Sequence, residues 1–107
     1  MFDMKKLAQL QKELQSKMAQ VQEDLKTRTV EGTSGGGLVT AVASGAKELV
    51  RVQIKPDAVD LEDLEMLEDL VVAAVNNALE KAAALHESEV GKVTGGLTGD
   101  LKMPGLF

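Results

Sequence analysis

The sequence has no cysteine, tryptophan or tyrosine, one histidine (His86), two prolines, and phenylalanine only at positions 2 and 107. Each shortage removes possibilities. Without cysteine there are no disulfides, thiolate metal sites or thiol nucleophiles. Without Trp or Tyr, and with Phe confined to the ends, no platform exists on which single-stranded bases could stack. One His supports neither a Ser-His-Asp set nor a His-rich metal centre, and no carboxylate pair stands out as an acid–base couple. An enzyme is therefore not expected, nor a cofactor, a metal or a small-molecule substrate. No apolar run approaches the ~18 residues of a membrane span, and the start "MFDMKKLAQLQKELQ" is amphipathic, unlike a signal peptide. A soluble intracellular protein with no membrane partner is expected.

What is present is a chain of 107 residues, 44% hydrophobic, whose core must be built from Leu, Val, Ala and Met. That length suits one small domain. Residues 1–93 are read as a single α+β domain, and residues 94–107, "TGGLTGDLKMPGLF", as a flexible tail rich in glycine and lacking any period. The net charge is −5, but it is unevenly spread. Residues 1–28 hold six Lys and Arg against four acids, a local net of +2 that leaves −7 for everything after.

Leu7, Leu10, Leu14, Met18, Val21 and Leu25 recur at spacings of three and four, the period of an amphipathic helix, and predict a buried stripe. Lys5 and Lys12 fall nearly opposite that stripe, with Lys6 and Lys17 toward its side. The period then stops. "TRTVEG", "LVTAVAS" and "ELVRVQI" read as three short strands, the third alternating Val50, Val52 and Ile54 against Leu49, Arg51 and Gln53. "SGAKE" joins the second and third as a hairpin, with Gly45 suited to its turn. The run Gly35-Gly36-Gly37 leads into a strand with no lysine before Lys47, so it lacks the Lys-Ser/Thr pair and helix of a phosphate loop and reads as a mobile connector.

A second long helix is expected after Pro56, capped by Asp57 or Asp60 and with Glu62, Asp63 and Glu65 favouring its positive end. These acids are read as helix chemistry rather than metal ligands. Leu64, Leu67, Val71, Ala74, Val75, Ala78, Ala82 and Leu85 form one apolar stripe. Met66, Leu70, Ala73, Asn77 and Ala84 lie on a second sector, whose partner would be a second copy of the chain or the first helix. Alanines at 73, 74, 78, 82, 83 and 84 let another backbone come close, and a two-fold homodimer through that second sector is expected.

Three segments together resemble the YbaB/EbfC family of small bacterial nucleoid-associated proteins: "GGGLVTAVASGAKELVRVQIKP", "EMLEDLVVAAVNNALEK" and "KMPGLF". The likeness covers nearly the whole chain in order, and includes Leu67, Glu68, Asp69, Leu70, Asn76 and Ala78, which look structural. It implies an α-β-β-β-α subunit, with a three-stranded antiparallel sheet and two long helices, that dimerises into a tweezer-like shape. It further implies binding to double-stranded DNA, alteration of DNA conformation, and a place in the cytoplasm on the nucleoid.

The contact residues are inferred from charge, not from the resemblance. Affinity for DNA comes largely from cations displacing counterions condensed on phosphates, and the first helix carries the cation surplus. Lys5, Lys6, Lys12, Lys17, Lys26 and Arg28 are the candidate DNA-binding residues. With only Arg28 and Arg51 as arginines, direct base readout is not expected. The competing expectation, favoured by the acidic total, is a dimeric protein-interaction scaffold without intrinsic DNA binding.

Overall fold

Asp3 starts the first helix: its backbone is extended, and its carboxylate accepts a hydrogen bond from the Lys5 N–H at 3.1 Å, satisfying a donor that the first helical turn leaves without a partner. In the computed structural model, which describes residues 3–98, the elements are α1 (Met4–Thr27), β1 (Thr29–Ser34), β2 (Val39–Ser44), β3 (Leu49–Ile54), a short 3-10 turn (Pro56–Ala58) and α2 (Leu64–Thr98). The chain is thus α+β in the order α-β-β-β-α. The strands form an antiparallel meander, β1-β2-β3, with β2 central.

The core is made of small side chains. Ala74, Ala78 and Ala82 recur every four residues on α2 and are fully buried against Val39, Ala41 and Ala43 of β2. On the same sheet face, Gly32 of β1 pairs with Ala41. A Cβ built on Gly32 would lie 2.2 Å from the Ala78 nitrogen and 2.6 Å from the Ala74 carbonyl oxygen. Here the helix backbone rests directly on the strand backbone, which only glycine allows. Two side-chain bonds fix the same contact: the Ser34 hydroxyl donates to the Leu70 carbonyl, and the Asn77 amide donates to the Thr33 carbonyl at 3.0 Å.

Several expectations are corrected by this packing. Three of the six alanines read as room for another backbone, Ala74, Ala78 and Ala82, are filled by the chain's own sheet. Within the expected dimer sector, Leu70 packs against the core and Asn77 bonds β1, whereas Met66, Ala73 and Ala84 are exposed. The second long helix does not begin after Pro56. Pro56–Ala58 forms a 3-10 turn, Asp60 accepts from the Glu62 N–H at 2.9 Å, and Asp63 accepts from the Met66 N–H at 3.2 Å as α2 starts. The carboxylate next to the helix wins the cap.

At the other end, α2 continues through Thr98, past the expected domain limit at residue 93. The rest of the expected tail, 99–107, lies outside the described residues. The β2–β3 turn also differs from expectation. Its left-handed residue is Lys47 (φ 65°), not Gly45; Gly45 is small because Leu25 of α1 crosses it, a Cβ there falling 2.7 Å from Leu25 Cδ2. A register shift at Val42/Ala43 sets Leu49 opposite Ala43 and Arg51 opposite Val42, which breaks the simple alternation read for β3. The Gly35–Gly37 run, with φ of 60°, 67° and 93°, closes the β1–β2 hairpin as a turn leading into a strand.

Candidate nucleic-acid interface

With 24 residues, α1 is a rod of about 36 Å, and its apolar stripe is covered unevenly. Leu25 is 1% exposed, Val21, Met18 and Leu14 are half-buried, and Leu10 and Leu7 are 48% and 44% exposed. The expectation of a stripe buried along its length holds only at the C-terminal end. The helix is anchored at Leu25 and projects from the body.

Contacts along α2 fix the direction of that projection. Leu70 lies by Gly35, Asn77 bonds Thr33, Ala78 meets Gly32, Glu89 pairs with Arg28, and Lys92 and Val93 share a groove with Lys17 and Val21. As α2 advances, its partners retreat along the chain, so the end of α2 runs antiparallel to α1. Together they form a two-helix prong on a molecule 73 Å long.

The charges separate along this axis. Residues 57–69, at the start of α2 and the segment before it, contain seven acids and no Lys or Arg. That acidic cluster sits at the hairpin end, and α1 points away from it.

Of the six candidate cations, Lys5, Lys6, Lys12 and Lys17 are exposed, and among the described residues none of the four is in an ion pair. Lys5 and Lys12 share one face, seven residues or about 10 Å apart. The other two are engaged. Lys26 pairs with Glu23 at 3.3 Å, and Arg28 pairs with Glu89 at 3.3 Å. Glu89 also receives Lys92 at 3.0 Å, and hydrogen bonds from Lys92 and then Arg28 hold its carboxyl below the ordinary 4.5. Arg28 thus ties the base of the prong to α2 rather than standing free.

Lys92 is a cation that reading the sequence missed. It lies among the acids of α2, and only the antiparallel helix pairing carries it to Lys17. The groove they share, about 370 Å³, is also lined by Gln20, Val21, Asp24, Glu89 and Val93. Two carboxylates balance two ammonium groups there, so the groove is not an anion pocket. Among the described residues no group of three or more His, Cys, Asp or Glu is placed to hold a metal, and no helix is long and apolar enough to cross a membrane.

Comparison with known proteins bears on what this surface meets. A profile of the YbaB/EbfC DNA-binding family matches residues 1–97. A nucleoid-associated protein of Pelotomaculum thermopropionicum is 52% identical over 103 residues, covering 96% of this chain and 93% of its own. One of Thermoanaerobacter pseudethanolicus is 48% identical over 106 residues, 99% of this chain and 92% of its own. Among solved structures, an uncharacterized protein from Helicobacter pylori superposes with a TM-score of 0.72 at 27% identity, over 91% of this chain and 99% of that one.

Proposed function

The chain belongs to the YbaB/EbfC DNA-binding family, and from that premise we propose that it is a nucleoid-associated protein that binds duplex DNA through the α1 prong, with little sequence preference, and alters the conformation of the DNA it coats. The observation that carries this reading is the polarity of the molecule. Four lysines that form no ion pair among the described residues stand on the projecting helix, and the seven acids of residues 57–69, a stretch with no Lys or Arg, stand at the far end. A polyanion approaching such a dipole is attracted by one end and repelled by the other.

Phosphate contacts position a protein without reading bases, and lysine on a flexible stem is a point charge rather than a planar reader. Arg28, one of two arginines, is occupied by Glu89. Each lysine that replaces a condensed counterion adds about 0.9 to the slope of log K against log salt. Four lysines on one prong give a slope of about −3.6, and a second engaged prong about doubles it.

The active form in this proposal is a homodimer in the cytoplasm, on the nucleoid, presenting two prongs to one duplex. Support for self-association comes from apolar side chains left uncovered on β3 and after it: Leu49, Val50, Ile54, Val59, Leu61 and Leu64 are 43–83% exposed. Met66, Ala73 and Ala84 of the originally expected sector remain open to the second copy. The same uncovered surface, with the net charge of −5, favours the scaffold reading. Fluorescence anisotropy of a labelled duplex of random sequence separates the two. Saturable binding that weakens log-linearly with salt supports the DNA reading, and no binding at low salt transfers the argument to the scaffold.

A further inference from the structure

One flank of α1 carries charges of alternating sign. At about 100° per residue, Lys6, Glu13, Lys17 and Asp24 fall within about 40° of one another, beside the apolar stripe and apart from Lys5 and Lys12. All four are exposed, and among the described residues none is in an ion pair. Two hollows lie along the same flank. Toward the free end, Lys6, Gln9, Leu10 and Glu13 border a recess of about 250 Å³. Toward the body, Lys17, Gln20, Val21 and Asp24 form the α1 side of the groove shared with α2. Counted from residue 15, the two sets are mirror images, lying nine, six, five and two positions before it and two, five, six and nine after. That spacing fits a second copy of the same helix turned end for end.

We propose that two copies of the chain pair through this flank, α1 against α1 in antiparallel, with residue 15 at the two-fold axis. Each recess then faces the groove of the other copy. Lys6 meets Asp24 of the second copy and Glu13 meets its Lys17, and the symmetry of an isologous contact repeats both pairs. Leu10, 48% exposed, sits one residue from the level of the second copy's half-buried Val21 and packs beside it. A parallel pairing in register would set Lys6 on Lys6 and Asp24 on Asp24, so like charges exclude that direction. Glu13 and Lys17 are within reach of each other on one helix. Lys6 and Asp24 are 18 residues apart, about 27 Å along α1, and only a second copy brings them together.

This contact uses none of the apolar residues on β3 and the segment after it that support the homodimer, so it joins copies in addition to that one. It leaves Lys5 and Lys12 open. Phosphate and the second copy's carboxylates compete for Lys6 and Lys17, which makes the pairing, on the DNA reading above, a state of the protein off the duplex. The pairing itself stands whether or not DNA is the ligand.

The test needs no duplex. Because the chain has no cysteine, a single nitroxide per chain is placed through Ala8→Cys, Gln15→Cys or Gln22→Cys. These positions are exposed, seven residues apart, and on the side of α1 turned away from the contact. Distances between like labels on paired chains are read by double electron–electron resonance. In the antiparallel pair the axial offset between labels is zero at 15 and about 21 Å at both 8 and 22. Expected is a distance that is shortest at 15 and longer by equal amounts at 8 and 22. It is lost in Lys6→Glu and regained in the double change Lys6→Glu with Asp24→Lys, which exchanges the signs across the contact. A homodimer through the body adds a separate distance that changes steadily from 8 to 22 and does not respond to the reversal. That steady change alone overturns the proposal, as do equal distances at all three sites, a minimum at 15 that survives Lys6→Glu, or one that the double change fails to restore. Unchanged helical circular dichroism confirms that each variant is folded.

Discussion

The body and the prong of this molecule are packed by opposite rules. In the body, α2 presents Ala74, Ala78 and Ala82 to a strand whose Gly32 lets two backbones touch. In the prong, α1 carries long Leu, Met, Lys and Gln side chains, buried fully only at Leu25. The first arrangement tolerates almost no added volume and has no charged side chain among its buried residues. The second has room for substitution and bears the cations. Stability is concentrated where side chains are smallest, and the recognition proposed above falls where they are longest.

Four changes probe that contrast, in descending order of expected effect. Gly32→Ala drives a methyl into the backbone of α2 and is expected to cost about 3 kcal/mol, the upper part of the overpacking range, read as a lower midpoint in urea with an unchanged slope. Leu25→Ala removes the anchor of α1. Its cost is placed at about 2 kcal/mol, the lower end for such truncations, because Leu25 already borders a small recess of about 130 Å³ with Gln22, Lys26, Ala46 and His86. A loss as large as that of Gly32→Ala would erase the distinction between body and prong. Asp63→Ala deletes the cap of α2 and is expected to cost about 1 kcal/mol, visible as a lower melting temperature. Lys5→Gln with Lys12→Gln is expected to change stability by less than about 0.5 kcal/mol, by the same melt.

The seam between the two regions is sensitive to pH. Hydrogen bonds from Lys92 and Arg28 depress the Glu89 carboxyl below 4.5, so its native pKa is lower than its unfolded one. Its contribution is present in full above about 4.5 and is lost as the pH falls through the depressed native value. Melts of the parent chain and of Glu89→Gln should therefore differ near neutral pH and converge in acid. A gap that persists at pH 3 would mean the carboxylate pairs do not hold the seam.

Much of the fold was legible because its signals are local. The 3.6-residue period of α1, the β-branched strands and the turn composition of the hairpin each belong to a short window. What was missed depends on contacts between distant segments. The alanine run of α2 announces a close neighbour, but not that the neighbour is Gly32, 42 residues before Ala74. Asn77 looks like part of an outer face until β1 offers the Thr33 carbonyl. Lys92 joins Lys17 only because the end of α2 runs antiparallel to α1. The start of α2 lies later than the expected caps Asp57 and Asp60 because Pro56–Ala58 forms a 3-10 turn, Asp60 bonds the Glu62 N–H before the helix, and Asp63 meets the Met66 N–H of its first turn. At the candidate interface, the cation surplus was readable from composition; the division into two paired cations and four lysines in no ion pair among the described residues was not.

The most direct test of the central claim, that the projecting helix holds the phosphates, is the salt dependence of duplex binding by the parent chain and by the Lys5→Gln, Lys12→Gln variant. If α1 supplies these contacts, removing two lysines lowers the magnitude of the slope of log K against log salt by about 1.8 per engaged prong. An identical slope in a folded variant would contradict the assignment and move the DNA surface off this face of α1.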